Sequence, residues 1–126
     1  MAGLFGEYRH TIDAKGRLSM PSRLLKALGD PFYISVSDDA CLNVYALAQW
    51  EKLEEEKFGG LSGAEERRSR RDFYSMAQEG VLDSQGRVLL SQKLRRYAGL
   101  DKNVVIVGAG KYAEIWDAGS WDGQGS

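Results

Sequence analysis

Cysteine and histidine are almost missing: Cys41 and His10 each stand alone among 126 residues. A single thiol excludes an internal disulfide, and without a Cys/His cluster a zinc site has no support. One imidazole is thin material for general acid–base catalysis. No apolar run approaches the roughly 20 residues that span a bilayer. The opening MAGLFGEYRH has no basic segment leading into an apolar stretch, so it does not read as a secretory signal. A reducing, cytoplasmic setting is therefore expected. Gly-rich phosphate loops and Ser/His/Asp or Cys/His sets are also lacking. The expectation is a protein that is not an enzyme, with no cofactor, no metal, no small-molecule substrate and no membrane partner.

What is present is ordinary globular material. Apolar residues make up 43% and charged residues 28%, and a length of 126 suits one domain with a real core. The net charge of −1 neither demands nor excludes nucleic acid. Its distribution is uneven: Glu51, Glu54, Glu55 and Glu56 form an acidic run, and Arg67, Arg68, Arg70 and Arg71 a basic one. These runs read as solvated helix faces or helix-to-helix ion pairs. The sharper alternative is a charge-matched contact between subunits.

The most informative feature is a repeat. Asp13–Arg17 reads DAKGR and Asp83–Arg87 reads DSQGR, an offset of 70 residues. Between 13–29 and 83–99, five of seventeen positions are identical, where chance gives roughly one. Such an internal duplication governs the architecture. Each unit reads as strand, DxxGR turn, strand, short helix, strand, strand, helix start. In the first unit, 7–12 alternates in strand period, and Leu18 and Met20 alternate with Arg17 and Ser19. The motif thus sits at a hairpin tip. Asp13 and Asp83 take position i of a type I turn, where their carboxylates bind backbone amides. Gly16 and Gly86 supply the left-handed residue of a bulge. A helix follows Pro21, with Leu24, Leu25 and Leu28 as its stripe and Gly29 as its stop. Its counterpart follows Ser91 as N-cap, with Leu94, Tyr97 and Ala98, and stops at Gly99.

Further strands are expected at 32–37, 42–46, 103–107 and 112–116. LNVYALAQWE aligns with AEIWDAGSWD, which matches Trp50 to Trp121. Linking helices are expected at 47–58, with Trp50, Leu53 and Phe58 apolar, and at 64–78, with Phe73, Met76 and Ala77 apolar. The tail after Trp121 is too short and glycine-rich to hold a helix. The layout is one pseudo-twofold domain over 1–126, with repeat one at 5–50, linking helices within 47–78 and repeat two at 79–122. Each unit alone is too small for a comfortable core, so the two are expected to share one closed barrel without sheet edges.

The loops project Lys15 and Arg17 from the first copy, Gln85 and Arg87 from the second. Arg presents a fork that matches phosphate oxygens and the O6/N7 edge of guanine, Lys neutralises a phosphate, and Gln can pair with adenine. A two-stranded tip fits a major groove. One DxxGR alone is weak, since Asp and Gly are common in turns and Arg on surfaces. The tryptophans 50, 116 and 121 and Tyr45 and Tyr112 read as core or interface rather than as a stacking platform.

Taken together, GEYRHTIDAKGRLSMPSRL, CLNVYALAQWEKLEE, RRSRRDFYSMAQEG and LDSQGRVLLSQKLRRYAGLDKNVVIVGAGKYAEIWD closely resemble the MraZ family of bacterial transcriptional regulators over nearly the whole length. The resemblance implies an α+β, internally duplicated swapped-hairpin barrel of AbrB-like type, with short helices and a helical pair linking the repeats. It implies a ring homo-oligomer, usually an octamer, with its DxxxR loops on one face. It further implies binding of double-stranded promoter DNA at GTG-rich direct repeats upstream of a division and cell wall operon. The output would usually be repression, and the protein cytoplasmic and nucleoid-associated. Carried over, the DNA-binding positions are Lys15, Arg17, Gln85 and Arg87. Two departures stand out: Ser91 occupies the place of Pro21, and family members often continue into another helix beyond this C-terminus. An antitoxin-like protein-interaction module of the same fold is the alternative function.

Overall fold

The computed structural model describes residues 3–124. Thirteen elements follow in order among them: β1 (Glu7–Thr11), β2 (Arg17–Ser19), α1 (Ser22–Leu28), β3 (Phe32–Val36), β4 (Leu42–Ala46), α2 (Leu47–Phe58), α3 (Gly63–Ser75), β5 (Ala77–Gly80), β6 (Arg87–Leu89), α4 (Gln92–Tyr97), β7 (Asn103–Gly108), β8 (Ala113–Asp117) and α5 (Ala118–Gly123). Alternation explains the longer strands. Phe32 and Ile34, Leu42 and Val44, Val104 and Ile106, and Ala113 and Ile115 are all buried on one face of one sheet.

That sheet is antiparallel and six-stranded, in the order β1-β7-β8-β4-β3-β5. Each repeat's first strand pairs with the other repeat's third: β1 with β7, and β5 with β3. At the centre β4 meets β8, with Asn43 opposite Glu114, which are equivalent positions in the aligned repeats. A separate two-stranded ribbon joins β2 to β6, with Leu18 opposite its own equivalent, Val88. The register therefore reads the same from either repeat at both centres.

The strands do not close into the expected barrel. β1 and β5 are left as edges of the six-stranded sheet. β2 and β6 are only three residues long and prefer each other to the strands that precede them. Consequently the motif is not the tip of a regular hairpin either. β1 and β2 meet only at the single bridge Ile12–Leu18, and its counterpart is Leu82–Val88.

The core lies between the ribbon with α1 and α4 on one side and the inner face of the sheet on the other. Leu18, Val88, Leu24 and Leu94 meet Ile34, Leu42, Ile106 and Ile115 there. The hairpin of α2 and α3 packs on the outer face instead. Trp50 stacks between Tyr33 and Phe73, with ring centroids 5.1 and 5.0 Å away.

Three further expectations are corrected. The helix expected over 64–78 ends at Ser75, and a strand, β5, begins at Ala77. Pairing of β5 with β3 overrides the helical spacing of Met76 and Ala77, and Gly80 lets the strand approach the ring of Phe32. Tyr97 does not join the buried stripe of α4; it is exposed, and its hydroxyl donates to the Ser37 carbonyl at 2.5 Å. Finally, α5 carries through Trp121 to Gly123, because Asp117 caps it at Ser120 and Arg9 grips Asp122 with two hydrogen bonds of 2.6 and 3.1 Å. The last residues of the tail, 125 and 126, lie outside the described residues.

Candidate nucleic-acid interface

Both DxxGR segments fold into the same loop. Gly16 N–H donates to the Asp13 carbonyl at 3.0 Å, and Gly86 N–H to that of Asp83 at 3.1 Å. The glycines sit at φ +88° and +76°, the left-handed region where a side chain is costly. Asp13 Oδ1 accepts from the Lys15 and Arg17 amides, each at 2.9 Å, and Asp83 Oδ1 accepts from Gln85 and Arg87 at the same distances. Three-residue strands cannot hold such loops by ladder bonds alone, so the carboxylates complete the turn.

The second carboxylate oxygen has a different task. Asp13 Oδ2 accepts from Arg17 Nε at 2.7 Å, and Asp83 Oδ2 from Arg87 Nε at 2.8 Å. Holding Nε fixes the plane of each guanidinium and leaves the Nη groups, whose fork matches phosphate or guanine, outside these hydrogen bonds. The Asp residues thus aim the arginines as well as making the turns, a role the sequence reading did not assign them. Their pKa values follow. Asp13 is lowered to about 2, first by the Arg17 backbone N–H and then by the Arg17 side chain and the Lys15 amide. Asp83 is lowered for the same leading reason, the Arg87 backbone N–H.

The ribbon brings the loops together. Leu18 and Val88 face the core, so Arg17, Ser19, Arg87 and Leu89 take the opposite face. Arg17 pairs with Leu89 and Arg87 with Ser19, which sets the two arginines diagonally beside each other. Arg87 Nη1 also reaches Asp13 Oδ2 at 3.8 Å, an ion pair between the two loops. Backbone bonds interlock them further: Gly16 accepts from Leu90 N–H at 2.9 Å, and Gly86 from Met20 N–H at 3.2 Å. Lys15 and Gln85 lie at the exposed loop tips.

Charge is segregated around this face. Residues 13–29 and 83–99 together hold eight Lys and Arg against two acids, Asp13 and Asp83, a formal charge of +6. The whole chain carries −1, so the remainder is strongly acidic. The acidic run of α2 lies on the outer face of the sheet, away from the ribbon. Of the two readings offered for the acidic and basic runs, solvated faces or ion pairs between helices, the ion pairs with α3 do not form among the described residues: Arg70 pairs with Glu66 inside α3, and Glu54 meets the Tyr74 hydroxyl. Among the described residues no group of three His, Cys, Asp or Glu could hold a metal ion, and no helix is long and apolar enough to cross a membrane.

Comparison with known proteins fits this two-copy construction. A family profile described as "MraZ protein, putative antitoxin-like" matches twice, over residues 4–72 and 73–125. The boundary between Asp72 and Phe73 falls in the last turn of α3, a few residues ahead of β5. The chain is 46% identical over 117 residues to a protein of Heliobacterium modesticaldum, covering 92% of this chain and 82% of that one. It is 48% identical over 118 residues to one of Desulfitobacterium hafniense, with coverage of 92% and 82%. A Symbiobacterium thermophilum protein is 45% identical over 117 residues, with coverage of 92% and 85%. All three relatives carry the name "Transcriptional regulator MraZ". With both halves matched and relatives this similar along nearly their full length, the chain belongs to the MraZ family.

Proposed function

We propose that this chain is a sequence-specific DNA-binding transcriptional regulator that acts on the promoter of its own operon, usually as a repressor. The observation that carries the reading is the ribbon face. Two arginines stand side by side there, each aimed by its own Asp, with Lys15 and Gln85 at the flanking tips. Arg17 and Arg87 are the base-reading candidates; Lys15 supplies phosphate attraction and Gln85 a polar contact.

One chain offers few such groups. A ring of identical subunits, an octamer by family resemblance, multiplies them on one face. Rotation about a ring axis brings successive loops to DNA in the same sense, which suits direct repeats better than a palindrome. GTG-rich repeats fit forked arginines, since each guanine offers O6 and N7. The protein would then work in the cytoplasm, on the nucleoid.

The test is a mobility shift on DNA immediately upstream of the gene, with Arg17→Ala and Arg87→Ala. Both variants should lose the specific complex while keeping the wild-type mass in solution. Wild-type binding by Arg17→Ala would remove the loop assignment. A stoichiometric protein partner with no DNA shift at physiological salt would favour the antitoxin-like module, to which the charge runs of α2 and α3, not paired with each other among the described residues, are also suited.

A further inference from the structure

The two loops differ in what packs against their glycines. Arg95, on α4, lies flat against Gly16. A Cβ placed on Gly16 would sit 2.8 Å from Arg95 Cζ and 2.9 Å from Nη2. At Gly86 the same construction meets nothing within 4 Å. The residue aligned with Arg95 in the first repeat is Leu25, which has no charge to offer.

Arg95 is also anchored. Its Nε donates to the Leu90 carbonyl at 3.1 Å, while Leu90 N–H donates to the Gly16 carbonyl at 2.9 Å. Leu90 is therefore held from both sides, and Gly16, Leu90 and Arg95 form one closed unit at the base of the first loop. The guanidinium is half-buried and forms no ion pair among the described residues. This sets it apart from Arg17 and Arg87, whose charges are balanced by aspartates. It packs against Gly16, the residue after Lys15, and the Lys15 ammonium likewise forms no ion pair among the described residues.

We infer that Arg95 and Lys15 form a binding site for a backbone phosphate of DNA at the base of the first loop, with no counterpart at the second. The inference rests on the proposed DNA-binding function. A planar donor whose plane is fixed by folding loses little freedom when a phosphodiester arrives. Phosphate contacts fix register and supply affinity without reading sequence. Arg95 thus serves a different purpose from Arg17: it strengthens binding to any duplex and sets how the first loop enters the groove.

The experiment is fluorescence anisotropy on the upstream duplex and on an unrelated duplex across a salt series. Variants are Arg95→Gln, which retains a donor for the Leu90 carbonyl but no charge, Arg95→Leu, which copies the first repeat, and Arg17→Ala as reference. Arg95→Gln and Arg95→Leu should weaken both duplexes by a similar factor, roughly tenfold. Each should flatten the slope of log K against log salt by about 0.9 per engaged loop. Arg17→Ala should instead lose the difference between the two duplexes. An unchanged slope in Arg95→Gln, with Arg17→Ala impaired, overturns the phosphate site alone. Wild-type protein that binds neither duplex overturns the DNA reading and this site with it.

Discussion

Three N–H groups converge on the Asp13 carboxylate: two backbone amides at one oxygen and Arg17 Nε at the other. The charged form is what these donors favour, so its pKa falls to about 2 in the folded protein while the unfolded chain keeps an ordinary carboxylate. A depressed folded pKa means the loop is stabilised above the unfolded value, and that this is lost as pH falls from about 4 towards 2. Carboxyl carbon chemical shifts followed across that range should place the Asp13 midpoint near 2, with Asp83 also below the usual carboxylate range. A midpoint near 4 for both would mean the arginines are not clamped. Gly16 gives a second contrast. Gly16→Ala and Gly86→Ala both force a side chain into positive φ, worth about 1–2 kcal/mol. Only at Gly16 does the new methyl meet the Arg95 guanidinium. Urea unfolding should therefore rank Gly16→Ala below Gly86→Ala; equal midpoints would show that Arg95 does not rest there. At this scale the turn chemistry was legible because Asp and Gly at fixed offsets have few other uses. The aiming of Arg17 by Asp13 was not, since a side-chain bond four residues along depends on the loop's final shape.

Among the elements, β1 declared itself through alternation, with Tyr8 and His10 turned inward and Glu7, Arg9 and Thr11 exposed. β5 did not. AQEG has no apolar alternation, and it is a sheet edge held by backbone register to β3. Its one decisive residue is Gly80, where a Cβ would fall 2.0 Å from Phe32 Cε2. Overpacking of this kind costs about 1–3 kcal/mol. Gly80→Ala should lower the urea midpoint accordingly, and Phe32→Leu in the same chain should recover part of the loss. Additive losses in the double variant would mean that the two residues do not compete for space. Partner choice was equally hidden. Local pattern says that 7–11 is a strand, but pairing it with 103–107 rather than with 17–19 is decided by chain segments nearly a hundred residues apart. The ends of helices were easier to read, because caps are local: Ser91 Oγ accepts from Leu94 N–H at 3.2 Å, as its position ahead of the apolar stripe suggested.

For the whole molecule the question is whether one copy suffices. Four cations stand at the loops of a single chain: Lys15, Arg17, Arg87 and Arg95. At about 0.9 per neutralised phosphate, the loops of one chain contribute a salt slope near −3.6. Both aspartates withdraw part of that charge, so the practical contribution is smaller still. The acidic run of α2, on the outer face of the sheet, would repel DNA there and so favours the ribbon as the docking side. A specific operator complex formed by a ring should show a slope steeper than −3.6, with a light-scattering mass several times the 14.0 kDa of one chain. Glu54→Ala, in α2 on the outer face of the sheet, should leave that slope unchanged. A monomeric mass together with a slope no steeper than the single-chain contribution would remove the multivalent reading, even if Arg17 still proved essential.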